Sequence, residues 1–114
     1  MTVLNGNSAV GTIKLTKGAT YTLPIVRTSG TGIPNFTTLT WTFNIYTQSD
    51  GELFSDDATV IASDADNLLI TIPASVTSTM EWSGVKYGFT LKGVTGSTAY
   101  IPLKGGVIVE RADG

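Results

Sequence analysis

Six carboxylates, Glu52, Asp56, Asp57, Asp64, Asp66 and Glu81, crowd the middle of the chain, and a pair of carboxylates facing one groove is what glycoside hydrolysis requires. Asp56, Asp57, Asp64 and Asp66 are also hard oxygen ligands of the kind that hold Ca²⁺ where two loops converge. Their setting favours a plainer use. All six fall in segments read as loops, where short acidic side chains bond to nearby backbone N–H groups and shape turns, and no run has the ordered ligand spacing of an EF-hand. The chain has no His and no Cys, which leaves nucleophilic hydrolysis only Ser–Lys or carboxylate schemes. Lys86 is the lysine to weigh, and its place beside a strand reads as a solvated side chain. Gly93-Val94-Thr95-Gly96-Ser97 has the small residues of a phosphate loop but not the Lys and helix that follow one, so a turn accounts for it. Tyr46, Trp82 and Tyr100 offer flat faces on which sugar rings stack. Against that reading, Trp82 can cover an open end of the fold and Tyr46 can lie at a subunit contact, since aromatics are enriched in interfaces. No catalytic, cofactor-binding or metal-binding residue is assigned, and the expectation is a protein that is not an enzyme.

The elements that would position these groups are bounded by composition. A chain of 114 residues fits one domain, large enough to bury roughly two thirds of its unfolded surface without staples. Hydrophobic residues make up 41% and charged residues 14%, the profile of an ordered domain whose Thr-, Ser- and Gly-rich exterior suits a subunit packed among others. A formal charge of -2, with Lys14, Lys17, Arg27, Lys86, Lys92, Lys104 and Arg111 dispersed along the sequence, argues against a nucleic-acid partner. No window is apolar enough to span a bilayer, and Met1 to Val10 lacks the basic start and apolar stretch of a signal peptide. The expectation is a chain with neither membrane nor nucleic acid as a partner.

Along the chain the grammar is that of strands. Residues 1–11 read as an extended arm and residues 12–114 as the domain. Ile13 and Leu15 alternate with Lys14 and Thr16; Lys17-Gly18 turns the chain into a strand with Tyr21, Leu23 and Ile25 on one face. Pro24 marks that strand as an edge or bulge, because it donates nothing to a ladder. Residues 28–35 form a loop before the clearest strand, Leu39 to Thr47, where Leu39, Trp41, Phe43 and Ile45 point one way and Trp41 is placed near the core centre. Ser49-Asp50-Gly51 is a hairpin signal. Short strands around Val60-Ile61 and from Leu68 to Ile72 flank an acidic turn, Pro73 ends the second, and Ala74 to Met80 holds at most one helical turn. Val85, Tyr87, Phe89 and Leu91 form the second clear strand, Gly93 to Thr98 turns the chain, and Tyr100 to Glu110 ends it with both faces covered. About seven short strands without an amphipathic helix predict an all-β fold, a single antiparallel β-sandwich of immunoglobulin-like type.

Four segments carry a resemblance: Lys17-Gly18-Ala19-Thr20-Tyr21-Thr22-Leu23, Leu39-Thr40-Trp41-Thr42-Phe43-Asn44-Ile45-Tyr46, Gly84-Val85-Lys86-Tyr87-Gly88-Phe89-Thr90-Leu91 and Leu103-Lys104-Gly105-Gly106-Val107-Ile108-Val109. Together they resemble small bacteriophage virion proteins, and in particular the immunoglobulin-like N-terminal domain of phage baseplate upper proteins. Ala19 and Thr90 stand where that family has acidic residues, so no polar role is carried to either. The resemblance implies Trp41, Tyr87 and Phe89 as core or inter-sheet residues and a bulge at Gly105-Gly106. It implies a non-enzymatic structural protein that assembles with other virion proteins in the tail, baseplate or fibre-attachment region. The protein would be multimeric there and localised to the virion, assembled in the host cytoplasm. Two other roles suit the same fold: a decoration or cement protein on the capsid, and a carbohydrate-binding module.

Overall fold

The computed structural model describes residues 2–4, 9–28, 33–49, 51–81 and 86–111. They form nine strands: β1 (Thr2–Leu4), β2 (Ala9–Thr16), β3 (Tyr21–Arg27), β4 (Thr40–Thr47), β5 (Leu53–Ser55), β6 (Thr59–Asp64), β7 (Asn67–Ile72), β8 (Tyr87–Thr95) and β9 (Thr98–Glu110). A 3₁₀ turn at Phe36–Thr38 and a single helical turn, α1 (Ala74–Thr77), complete the described elements. Alternation builds the strands and their common core. Leu23 and Ile25 of β3 and Leu68, Ile70 and Ile72 of β7 face Ile13 and Leu15 of β2, Phe43 and Ile45 of β4, and Tyr87, Phe89 and Leu91 of β8, all buried.

Two sheets result, one of four strands in the order β1-β3-β7-β6 and one of five in the order β2-β9-β8-β4-β5. In immunoglobulin lettering β3, β7 and β6 are strands B, E and D, and β9, β8, β4 and β5 are G, F, C and C′. The fold is an immunoglobulin-like β-sandwich. A further mark of that architecture is Tyr87, at the start of β8: it is buried, and its hydroxyl accepts a hydrogen bond from the Glu81 backbone N–H at 3.0 Å. This is a tyrosine corner, with Phe89 two residues on, where antibody domains place a cysteine. Here Phe89 instead stacks on Phe43, centroids 5.4 Å apart. Burying such a ring stabilises the fold by roughly 1.5–3 kcal/mol.

Several expectations are corrected. The arm expected over residues 1–11 is in part sheet: β1 pairs in parallel with β3, and β2 pairs in parallel with β9 from Ala9 onward. The boundary at residue 12 therefore falls inside β2. Small residues at Ala9 and Gly11 hide the strand in the sequence, because alternation needs side chains large enough to show it. The count of about seven strands falls short at β1, whose three residues are too few for a period of two to declare itself; β5, equally short, begins at Leu53, where the Ser49-Asp50-Gly51 hairpin signal leads. Antiparallel pairing holds throughout the described sheets except for these two N-terminal pairs.

Trp41 lies at the end of its strand rather than at the core centre. It is half-buried, its Nε1–H donates to the Phe36 carbonyl at 2.9 Å, and its ring meets Phe36 edge-on. Phe36 itself is fully buried in the 3₁₀ turn capped by Asn35, and its N–H donates to the Ala65 carbonyl in the β6–β7 turn. Gly93 belongs to β8 and not to the turn, which tightens to Gly96-Ser97. It sits opposite Trp41, and a Cβ there would come within 2.9 Å of the indole. The irregularity in β9 lies between Tyr100 and Leu103, where its pairing with β8 shifts, while Gly105 and Gly106 pair in step with Phe89 and Gly88. Gly105 answers a different need: a Cβ on it would overlap the carbonyl of Gly11 in β2. Ile108 points outward and is exposed, so the last strand is covered on one face only. Pro24 belongs to an interior strand, β3, between β1 and β7, and the described β1–β3 pairing begins one residue beyond it, at Ile25. Val85, Asp50 and Trp82 lie outside the described residues.

Candidate functional site

Glu52 does not meet Asp64 or Asp66. The β4–β5 hairpin, which carries Glu52, and the β6–β7 turn, which carries Asp64 and Asp66, lie at opposite ends of the sandwich, because β4 and β7 both run toward the hairpin end. Asp64 is used locally. Its carboxylate accepts from the Asp66 N–H at 2.9 Å and from the Asn67 side chain at 2.8 and 3.0 Å. Those bonds, the Asp66 N–H first, hold the Asp64 pKa below the usual carboxylate value. Asp66 pairs with Arg27, whose guanidinium also donates to the Ile33 carbonyl and lies over the Phe36 ring. Arg27 thus fastens the β6–β7 turn to the chain leading into β4. Among the described residues no three acidic, His or Cys side chains gather as a metal would require.

Tyr46 and Tyr100 separate as well. Tyr46 projects from β4 on the outer face of the five-stranded sheet, whereas Tyr100 packs against the core near the far end of β9. The two rings do not form one platform. Tyr46 has a different neighbour, Gly88, directly across the ladder. Its ring lies on that glycine so closely that a Cβ at residue 88 would stand 2.6 Å from the ring.

Four lysines, dispersed in sequence, share this same outer face. Register places Val10, Thr12 and Lys14 of β2 beside Lys104, Gly106 and Ile108 of β9; Thr90 and Lys92 of β8 lie beyond, next to Asn44 and Thr42 of β4. Lys86 adjoins the start of β8. All four ammonium-bearing side chains are exposed, and among the described strand residues of this face Glu110 is the one carboxylate. Two shallow hollows lie on this face. One of about 260 Å³ is lined by Asn44, Tyr46, Gly51, Leu53 and Thr90. The other, of about 290 Å³, lies over Gly106 between Thr12, Gln48, Lys86 and Ile108. Gln48 is held there by donating to the Tyr87 carbonyl at 3.1 Å.

The outer face of the five-stranded sheet also exposes Val10, Leu53 and Ile108; that of the four-stranded sheet differs from it in charge. Pro24, Leu69 and Ile61 stand side by side across β3, β7 and β6, and Thr22, Thr71 and Thr59 form the next row. Leu69 is 38% and Ile61 59% exposed. No charged side chain interrupts these two rows.

No family model and no curated protein matches the chain. Among solved structures it is similar to the titin M3 domain, with a TM-score of 0.48 and 13% identity over 92% of this chain and 93% of that one. It is also similar to a nucleoside hydrolase-related hypothetical protein from Saccharophagus degradans that is associated with carbohydrate metabolism. That likeness has a TM-score of 0.34 and 17% identity, covering 90% of this chain and 23% of the other. Neither bears on what this chain does.

Proposed function

We propose that this chain is a non-enzymatic structural subunit of a bacteriophage virion, built into the tail, baseplate or fibre-attachment region. It packs on a neighbouring virion protein through the outer face of its four-stranded sheet. The observation that carries the reading is the row Pro24–Leu69–Ile61, three apolar side chains aligned across adjacent strands and open to solvent beside a threonine row. Contiguous exposed apolar side chains with no charge among them are the mark of a surface that becomes covered. The resemblance of the Lys17, Leu39, Gly84 and Leu103 segments to phage virion proteins supplies the kind of partner.

Immunogold labelling of particles from a phage carrying the gene tests this directly. Gold at the tail, baseplate or fibre junction is the expected result. Gold over the head would move the protein to a capsid-decorating role, and particles that carry no chain at all by mass spectrometry would refute the proposal.

A further inference from the structure

The five-stranded sheet carries a second surface, unrelated to the apolar row on the opposite side of the sandwich. We propose that it binds an acidic polysaccharide, a chain of uronate or similarly anionic sugar rings, across β2, β9, β8 and β4. Three observations converge on that ligand. The first is charge: on a chain whose formal charge is -2, Lys14, Lys86, Lys92 and Lys104 stand on one face with Glu110 as its one strand carboxylate. Such a face attracts anions and holds them by charge-assisted hydrogen bonds.

The second is the Tyr46 ring. It is laid on Gly88 and left half-exposed at the wall of one hollow, which is the arrangement that lets a flat sugar ring stack on an aromatic face. A side chain at residue 88 would lift the ring; glycine keeps it down. The third is the nature of the surrounding groups. Asn44 and Thr90 line one hollow beside Leu53, and Thr12, Gln48 and Lys86 edge the other, whose floor is the more apolar Val107 and Ile108. The amide and hydroxyl groups among them both donate and accept, matched to sugar hydroxyls.

The scale fits an oligomer and not a single sugar. From Lys86 to Lys92 along β8 is about 20 Å at the usual strand rise, so several linked rings are needed to reach both. A peptide is less well served here, because β2, β9, β8 and β4 bond to one another and the middle of the face leaves no ladder for a peptide backbone to join. A single strand of nucleic acid needs successive stacking rings, and this face offers Tyr46 with threonines around it.

The test is isothermal titration of the full chain at low salt with hexamers of galacturonate, mannuronate and hyaluronan. Maltohexaose, hexaglutamate and an oligothymidylate serve as controls. At least one uronate hexamer is expected to bind, at least about tenfold more tightly than any control, with affinity falling as salt screens the lysines. Tyr46→Ala and the pair Lys86→Gln/Lys104→Gln are each expected to weaken that binding about tenfold or more, with Tyr46→Phe close to wild type. Circular dichroism and melting temperature confirm that each variant is folded. Failure of all three uronates to bind, equal binding of maltohexaose, or hexaglutamate or oligothymidylate binding as tightly would each overturn the proposal. So would a Tyr46→Ala variant that binds as the wild type does. The two surfaces are separable: Ile61→Ser and Leu69→Ser are expected to leave sugar binding unchanged, and Tyr46→Ala to leave incorporation into particles unchanged.

Discussion

At the scale of single residues, the structure turns on a few side chains whose partners lie far away in sequence. Tyr87 buries its ring against Phe54 and the core while its hydroxyl accepts the Glu81 N–H. Removing that oxygen leaves a part-buried donor with no acceptor, at a cost of about 1–2 kcal/mol. Tyr87→Phe is therefore expected to lower the urea midpoint with the m-value unchanged, and an unshifted midpoint would show the hydroxyl to be idle. Asp64 makes a second test through pH. Its folded pKa is depressed, so the stability it contributes is complete above the ordinary aspartate value and is lost as pH falls through the lower folded value. Asp64→Asn keeps an oxygen to accept the Asp66 N–H but does not titrate. Wild type is expected to lose stability relative to Asp64→Asn as pH is lowered below about 4, read from melting temperatures across the acid range. Equal acid dependence in the two proteins would remove the role given to the Asp64 carboxylate.

At the scale of elements, the parallel docking of β2 on β9 rests on the close approach of Gly11 and Gly105. Gly105→Ala forces a Cβ into backbone that has nowhere to move short of parting the strands. A loss of at least about 2 kcal/mol is expected, with the amides of β2 exchanging faster than those of β7. Gly11→Ala is the mild control, because its added carbon would make ordinary contact with Leu103 at 3.9 Å. Strands β4 and β8 are legible in the sequence because Phe43/Ile45 and Tyr87/Phe89/Leu91 alternate with polar or small residues, and β7 because Leu68 to Ile72 is an apolar, β-branched run that Pro73 ends. The parallel partners of β1 and β2 are not legible. Periodicity tells which way a side chain points and says nothing of which distant strand lies alongside. The same limit hid the lysine face: Lys14, Lys86, Lys92 and Lys104 look scattered along the chain and meet only when the register of four strands is known. The Tyr46–Gly88 contact is of that sort too, although a lone glycine within an alternating strand is a signal of close approach.

At the scale of the whole molecule, the sandwich presents two outer surfaces, one carrying the uncharged Pro24–Leu69–Ile61 row and its threonines, the other carrying the lysines and Tyr46 together with the exposed Val10, Leu53 and Ile108. Subunits of an assembly are expected to cover the first and leave the second for an outside ligand. Because the chain has no cysteine, a single introduced thiol reports its own environment without interference. Ile61→Cys and Lys92→Cys place one reporter on each face, and both thiols are expected to react freely in the isolated protein. The most direct measurement is maleimide labelling of the two variants in intact virions. Protection at residue 61 with continued reaction at residue 92 is the expected result, and full reaction at residue 61 in the assembled particle would contradict the account.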